Sequence, residues 1–318
     1  MKKQPKSEIF SKKSEKNLKL ADQRFSHPQE DGRILCDLCP VNCKIPEGKN
    51  GKCRVRVNQG GKIYLNNYNM VVQASLDSLR NRPIYLLDNT EVKSLTVGLT
   101  GCNNTCPFCQ NWLVSQNSKF EDSFNLTPEK LVEHAVNNKV QYISFTYTEP
   151  IVWIEYLLET AKFSKEKNIK ICLKTAGYIS KKYHHILLEN VDVMNLDIKP
   201  MNSKYMLECG IGNPGVIWDL GRLALSMDIH LEISHIVIPT INDDEKSMKL
   251  FSDGIKKMTF MDTLIDGESL GKQIGIHLLR HYPAWKSNYP RTSDETMRKF
   301  KDFLESEGHE YVFTEEVG

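Results

Sequence analysis

Gly101-Cys102-Asn103-Asn104-Thr105-Cys106-Pro107-Phe108-Cys109-Gln110-Asn111-Trp112 follows directly on the apolar run Ser94 to Leu99. Such a run, bounded by Gly98 and Gly101, reads as a buried strand that feeds a loop at its carboxyl end. The loop carries three cysteines at C-x3-C-x2-C spacing. Three thiolates on so short a tether can face one centre, and soft sulfur ligands select iron–sulfur clusters or zinc. A zinc site normally closes with four ligands and favours paired C-x2-C knuckles. A cubane has four irons, so three cysteines leave one iron without a protein ligand. The spacing therefore predicts a [4Fe-4S] cluster at Cys102, Cys106 and Cys109 that is open to an outside partner.

Length and composition set the frame around that loop. The chain has 318 residues, 40% of them hydrophobic, enough for one large core and a small appended module. No apolar run reaches the length of a membrane span, and the lysine-rich start lacks the apolar stretch of a signal peptide. Nine cysteines in such a chain suggest metal chemistry in a reducing cytosol rather than a disulfide framework. A net charge of +2 gives no reason to expect a polyanionic partner.

Upstream, residues 1–30 are polar and lack hydrophobic periodicity, which reads as a flexible lysine-rich leader. Residues 31–92 read as a cysteine-rich module and linker. Cys36, Cys39, Cys43 and Cys53 are interleaved there with proline and glycine, as in a small module folded around a metal. Their spacing fits neither paired zinc knuckles nor a bacterial ferredoxin run, so zinc and a second iron–sulfur cluster both stay open. Lys62 to Leu65 reads as a strand beyond a Gly60-Gly61 turn.

From residue 93 to 318, strands and helices alternate. Strands are predicted at Leu95–Leu99, Tyr142–Tyr147, Ile169–Leu173, Val191–Ile198, Leu231–Ile238 and Ile274–Leu279. Thr127-Pro128, Asn242 to Glu245, and Ser293 with Gly308 mark helix ends. Six β/α repeats give an α/β chain with a parallel sheet curved into a partial (β/α)6 barrel, two repeats short of closure. In such folds ligands gather at the carboxyl ends of the strands.

The cysteine loop, with aromatic Phe108 before its last cysteine, resembles that of the radical S-adenosylmethionine (SAM) enzymes. The chain is similar to the branch around pyruvate formate-lyase activating enzyme, and most similar to the AmmeMemoRadiSam radical enzymes. Supporting segments are the upstream cysteine stretch, Cys109 to Trp112 with Ser115-Gln116, Thr146 to Pro150, Asp197 to Lys199, and Arg280 to Pro283. The resemblance implies that SAM chelates the open iron. One electron then cleaves its sulfonium to methionine and a 5′-deoxyadenosyl radical, which abstracts hydrogen from a substrate. It implies a reducing electron donor such as flavodoxin or ferredoxin, and a protein or small-molecule substrate that the residues do not name.

Further site residues follow from the strand ends. Glu149 matches the family's second-strand acid, which pairs with the SAM ammonium; its usual glycines are here Tyr147-Thr148. Its other reading is a helix-start carboxylate. Asp197 and Lys199 share one strand face and form either an ion pair beside the adenosyl group or a structural pair closing the barrel end. Ser234 shares a face with Glu232, opposite His235, and is placed near SAM. His281 is assigned to the SAM ribose or the substrate, and His277 to structure. Cys172 reads as a packed small hydrophobe. The alternative function is a radical SAM methyltransferase acting on RNA or protein, with Cys209 as methyl carrier.

Overall fold

The computed structural model describes residues 18–87, 92–117, 122–201, 203–260 and 274–314. Most of the expected leader, residues 1–17, lies outside the described residues. The first six strands are short: β1 (Lys19–Leu20), β2 (Ser26–Pro28), β3 (Ile34–Cys36), β4 (Cys43–Ile45), β5 (Arg56–Gln59) and β6 (Lys62–Leu65). They form two antiparallel sheets, β1-β6-β5 and β2-β3-β4. The Gly60-Gly61 turn joins β5 to β6 with both glycines at positive φ, as the hairpin signal requires.

A nine-stranded sheet follows. It comprises β7 (Met70–Ser78), β8 (Lys93–Leu99), β9 (Phe124–Asn125), β10 (Tyr142–Phe145), β11 (Lys170–Thr175), β12 (Val193–Ile198), β13 (His230–Val237), β14 (Gly275–Arg280) and β15 (Val312–Thr314). Strands β8 and β10 to β14 are the six predicted strands, and they lie parallel in unbroken chain order. Two neighbours extend them. β15 adds a further parallel strand beside β14, and β7 runs antiparallel to β8. β7 occupies sequence that reads as module and linker, so the sheet begins before residue 93.

In order the helices are α1 (Trp112–Ser115), α2 (Pro128–Asn137), α3 (Ile154–Glu166), α4 (His184–Leu188), α5 (Ser203–Glu208), α6 (Gly215–Ser226), α7 (Glu245–Thr259) and α8 (Asp294–Ser306). The longer helices, α2, α3, α6, α7 and α8, cover the outer face. Their ends are those the sequence marks. Thr127, Asp244 and Ser293 accept the first free backbone N–H groups of α2, α7 and α8, and Gly308 leaves α8 at positive φ. His235 points outward and stacks on Phe251 of α7 at 4.0 Å, which fixes Glu232 and Ser234 on the inner face.

The sheet is strongly curved. Flat, β8 and β14 would stand about 24 Å apart, five strand spacings. Yet the Lys286 N–H, just after β14, donates to Pro107 O in the loop after β8 at 2.9 Å. The inner face is layered. At the amino ends of the strands, Leu79 and Ile84 from the segment after β7 pack with Tyr142, Cys172 and Val193. There the backbone N–H groups of Tyr85 and Leu86 donate to Glu232 (2.7 and 2.8 Å), which also accepts from His277 at 2.6 Å. This plug leaves a polar lumen above it, at the carboxyl ends.

The amino-terminal sheets dock onto the same core. Arg56 makes a buried two-pronged pair with Glu155 of α3 (2.7 and 2.6 Å) and donates to Val152 O. Asp37, between two of the cysteines, accepts from Tyr183 (2.7 Å) and Lys182 (2.6 Å) beyond β11. Phe25, Leu38 and Val55 are fully buried in one hydrophobic cluster with the barrel residues.

Candidate active site

The cysteine loop is held from every side by groups that the barrel brings to it. Gly101 turns at φ +97°, where an added Cβ would stand 2.6 Å from Val55 and 2.9 Å from Cys53 O. Only glycine fits both the conformation and the close approach of the amino-terminal module. Asn103 Nδ2 donates to Tyr178 O after β11 (2.8 Å), and the Thr105 N–H donates to Cys209 O after β12 (2.8 Å). Gln116 Nε2 donates to Asn104 O (2.9 Å), and the Glu149 N–H donates to Gly101 O (3.2 Å). Phe108 stacks on Tyr205 with ring centroids 5.7 Å apart and meets His281 edge-on at 6.4 Å.

The three thiols are near enough to feel one another's charge. Burial pushes Cys102 and Cys109 up, the latter against a 3.2 Å contact with Ser115 Oγ. Cys106 is held low by the thiol of Cys209, which donates to it, and by the charge of Lys199. Among the described residues no three His, Cys, Asp or Glu side chains converge on one metal ion. A cubane spreads its protein ligands wider than a single ion does, and three soft sulfurs suit it. Buried polar atoms around the loop await partners: both amide atoms of Asn104, Thr100 Oγ1 and Asp197 Oδ1 have none among the described residues. A cluster completed by a ligand with donors and acceptors fits that surround, because unpaired buried polar atoms are costly.

Asp197 and Lys199 meet on the inner face of β12 at 3.0 Å. Lys199 Nζ lies 5.8 Å over the Phe108 ring, tying the pair to the cysteine loop. Burial works against Asp197, but Lys199 and Lys174 outweigh it and hold its carboxyl below the usual range. Ser234 is fully buried, donates to Asn195 Oδ1 at 2.8 Å and accepts from Lys174 Nζ at 3.2 Å. The structure thus brings Asp197, Lys199 and Ser234 to one lumen wall.

Glu149 and His281 are engaged differently. Glu149 accepts from Ile151 N–H (3.2 Å), Thr175 Oγ1 (2.6 Å) and Ala176 N–H (2.9 Å), so it caps the turn after β10 and ties it to β11. Burial pushes its carboxyl up against those three bonds. Tyr147, where the family carries glycine, stands at φ +69° with its ring against Gly98, so the glycine-like turn persists in a residue with a side chain. His281 is fully buried and kept neutral by that burial. Its Nδ1–H donates to Pro290 O (3.0 Å) and Nε2 accepts from the Ser287 hydroxyl (2.8 Å). The two residues border the site while their polar atoms are occupied within the fold.

The amino-terminal cysteines sit behind the loop. Cys36 and Cys43 face each other across β3 and β4, and each of the four thiols feels a neighbour's charge. Burial pushes all four up, Cys39 to about 12 against a hydrogen bond from Asn103 of the cysteine loop. Two features escape the sequence reading. Lys174 of β11 reaches the lumen. Arg82 pairs there with Asp77 and lies 5.3 Å over the Tyr147 ring. Cys209, the methyl carrier of the alternative reading, is fully buried against Cys106. Strand alternation was the available signal for Lys174, since it shares parity with the inward Cys172.

Comparison with known proteins gives the family and the fold. Residues 96–251 match the model of the Radical SAM superfamily. The uncharacterized protein MJ0808 of Methanocaldococcus jannaschii is 31% identical over 297 residues, covering 92% of this chain and 84% of that protein. A pyruvate formate-lyase-activating enzyme of Clostridium pasteurianum is 25% identical over 183 residues, 54% of this chain and 73% of the enzyme. A radical SAM methyltransferase from Sphaerobacter thermophilus shares the fold with a TM-score of 0.52 at 14% identity, over 72% of this chain and 67% of that one.

Proposed function

The chain belongs to the radical SAM superfamily of enzymes, and we propose that Cys102, Cys106 and Cys109 hold its [4Fe-4S] cluster while the lumen wall of Asp197, Lys199 and Ser234 receives SAM. The observation that carries the assignment is the loop itself. Three cysteines sit at the carboxyl end of the first parallel strand, clasped by residues after four other strands and ringed by polar atoms without partners among the described residues. A cluster held by these three cysteines would supply the single electron for reductive cleavage of bound SAM.

The chain's own residues bind and orient. Asp197 keeps one carboxylate oxygen unpaired, an acceptor for an ammonium or ribose hydroxyl, while Lys199 fixes the other. Phe108, stacked on Tyr205, covers the last cysteine's side of the loop and limits water there. Glu149 and His281 act through position, the first by holding the β10 and β11 ends together and the second by clasping residues 287–290 beside Phe108. A low-potential one-electron donor such as flavodoxin or ferredoxin supplies the reductant. The relatives named as activating enzymes of pyruvate formate-lyase favour a protein substrate. Cys36, Cys39, Cys43 and Cys53 form a separate metal-binding set behind the loop.

Anaerobically reconstituted protein, given reductant and SAM, should release 5′-deoxyadenosine and methionine in equal amounts. Protein with a full complement of iron and sulfide that releases neither would overturn the assignment.

A further inference from the structure

Among the described residues Lys174 makes no ion pair. Its side chain, half-buried in the lumen, donates to Asn195 Oδ1 at 2.9 Å and to Ser234 Oγ at 3.2 Å, both neutral acceptors. Ser234 itself donates to Asn195 Oδ1, and Asn195 Nδ2 donates to Pro83 O, so the network around the ammonium is orientationally fixed. The other lumen charges are already paired, Arg82 with Asp77 and Lys199 with Asp197. No carboxylate lies within ion-pair distance of Lys174 among the described residues. An ammonium has three N–H groups, and here the third has no partner among the described residues. Burial pushes this amine down to about 8, against the charge of Asp197, which lies beyond ion-pair distance.

From this geometry we propose that Lys174 is the substrate-anchoring residue and that the substrate presents a carboxylate to it. One free N–H on a single ammonium matches a carboxylate oxygen better than a dianionic phosphate, which draws several donors. Lys174 pairs in register with Asn195, which lies two residues before Asp197 on β12. It therefore lies about 7 Å deeper along the strands than Asp197 and meets the wall assigned to SAM at Ser234. A carboxylate seated there holds the rest of the substrate between Lys174 and the cysteine loop. This inference rests on the reading of the lumen as the SAM and substrate chamber.

The test is protection of Lys174 from reductive methylation by formaldehyde and cyanoborohydride in the wild-type holoenzyme, read by peptide mass spectrometry with exposed Lys182 as the internal reference. Acetate should slow methylation of Lys174 roughly tenfold, the worth of one charge-assisted hydrogen bond in a partly buried site, while acetamide should not. Asn195→Asp, which sets a carboxylate against the ammonium, should remove the acetate effect. Failure of acetate to protect, or equal protection by acetamide, would overturn the proposal. Protection by SAM but not by 5′-methylthioadenosine, with nothing added by acetate, would assign the anion to SAM itself and overturn the substrate role. Stronger protection by inorganic phosphate than by acetate would overturn the choice of carboxylate. Labelling needs neither reductant nor turnover, so its outcome is separable from whether 5′-deoxyadenosine forms.

Discussion

The two ends of the barrel lumen are built from the same strands by the same alternation, yet their polar groups are in opposite states. At the amino end Glu232 is fully buried and satisfied: two backbone N–H groups of the plug, His230 and His277 all serve it. At the carboxyl end, among the described residues, Asp197 keeps an unpaired oxygen, Asn104 has no partner for either amide atom, and Lys174 has no ion-pair partner. A completed network stabilises; an incomplete one costs stability unless a ligand finishes it. The difference locates chemistry at one end and structure at the other, as strand polarity in parallel β/α folds leads one to expect.

The largest expected effect breaks the carboxyl end outright. Replacing Cys102, Cys106 and Cys109 together by alanine should abolish the cluster's visible absorbance and 5′-deoxyadenosine release, with the fold retained by circular dichroism. Iron and sulfide that survive in this variant would report on Cys36, Cys39, Cys43 and Cys53. Retention of SAM cleavage would sink the assignment of the loop.

Next in size is the amino end. Glu232→Ala leaves buried His277 and two backbone N–H groups without their acceptor, and should cost roughly 3–5 kcal/mol in urea unfolding. SAM cleavage per folded molecule should stay within error, because nothing at that end faces the loop. The wild-type carboxyl also sets a pH dependence. Burial opposes the charge, but hydrogen bonds from His230, His277 and Leu86 outweigh it and hold the group down at about 2. Its folded value is below its unfolded value, so the unfolded chain binds the extra proton. The stabilisation is full above about pH 4.3 and is lost as pH falls toward 2. An unfolding free energy that stays flat across that window would contradict the role.

Asp197→Asn should have an intermediate effect. The amide keeps the shape but loses the charge that Lys199 and an incoming ammonium share, so SAM affinity should fall roughly tenfold. Unchanged affinity by equilibrium dialysis would place SAM elsewhere on the rim.

Much of this was readable from local pattern. The six parallel strands, the caps of α2, α7 and α8, the opposed faces of Glu232 and His235, and the Asp197–Lys199 pair follow from period and parity alone. What escaped depends on long-range contacts or weak periodicity. β7 carries Gln73-Ala74-Ser75-Leu76-Asp77, with Leu76 exposed, and takes its strand form from pairing with β8. β15 has only three residues. The contact of Cys209 with Cys106 joins positions about a hundred residues apart, and no spacing rule announces it. Glu149 was readable as an acid at a helix start, but its three bonds to the β10 and β11 ends emerge only once those strands are adjacent.

The smallest expected effect is the sharpest control on the contrast, because it concerns a thiol inside the same lumen. Cys172 lies on the inner face of β11, two residues from Lys174, and is fully buried among Leu79, Ile84, Tyr142 and Val193. Burial pushes its thiol up to about 12, so it stays protonated and packs as a small apolar group. Cys172→Ala removes one sulfur and leaves a void smaller than a methylene pair, which should cost about 1 kcal/mol. Iron content and 5′-deoxyadenosine yield should match wild type. A loss of iron in this variant would mean that the apolar plug and the cysteine loop are mechanically coupled through β11, and the separation of the lumen into a structural end and a chemical end would fail.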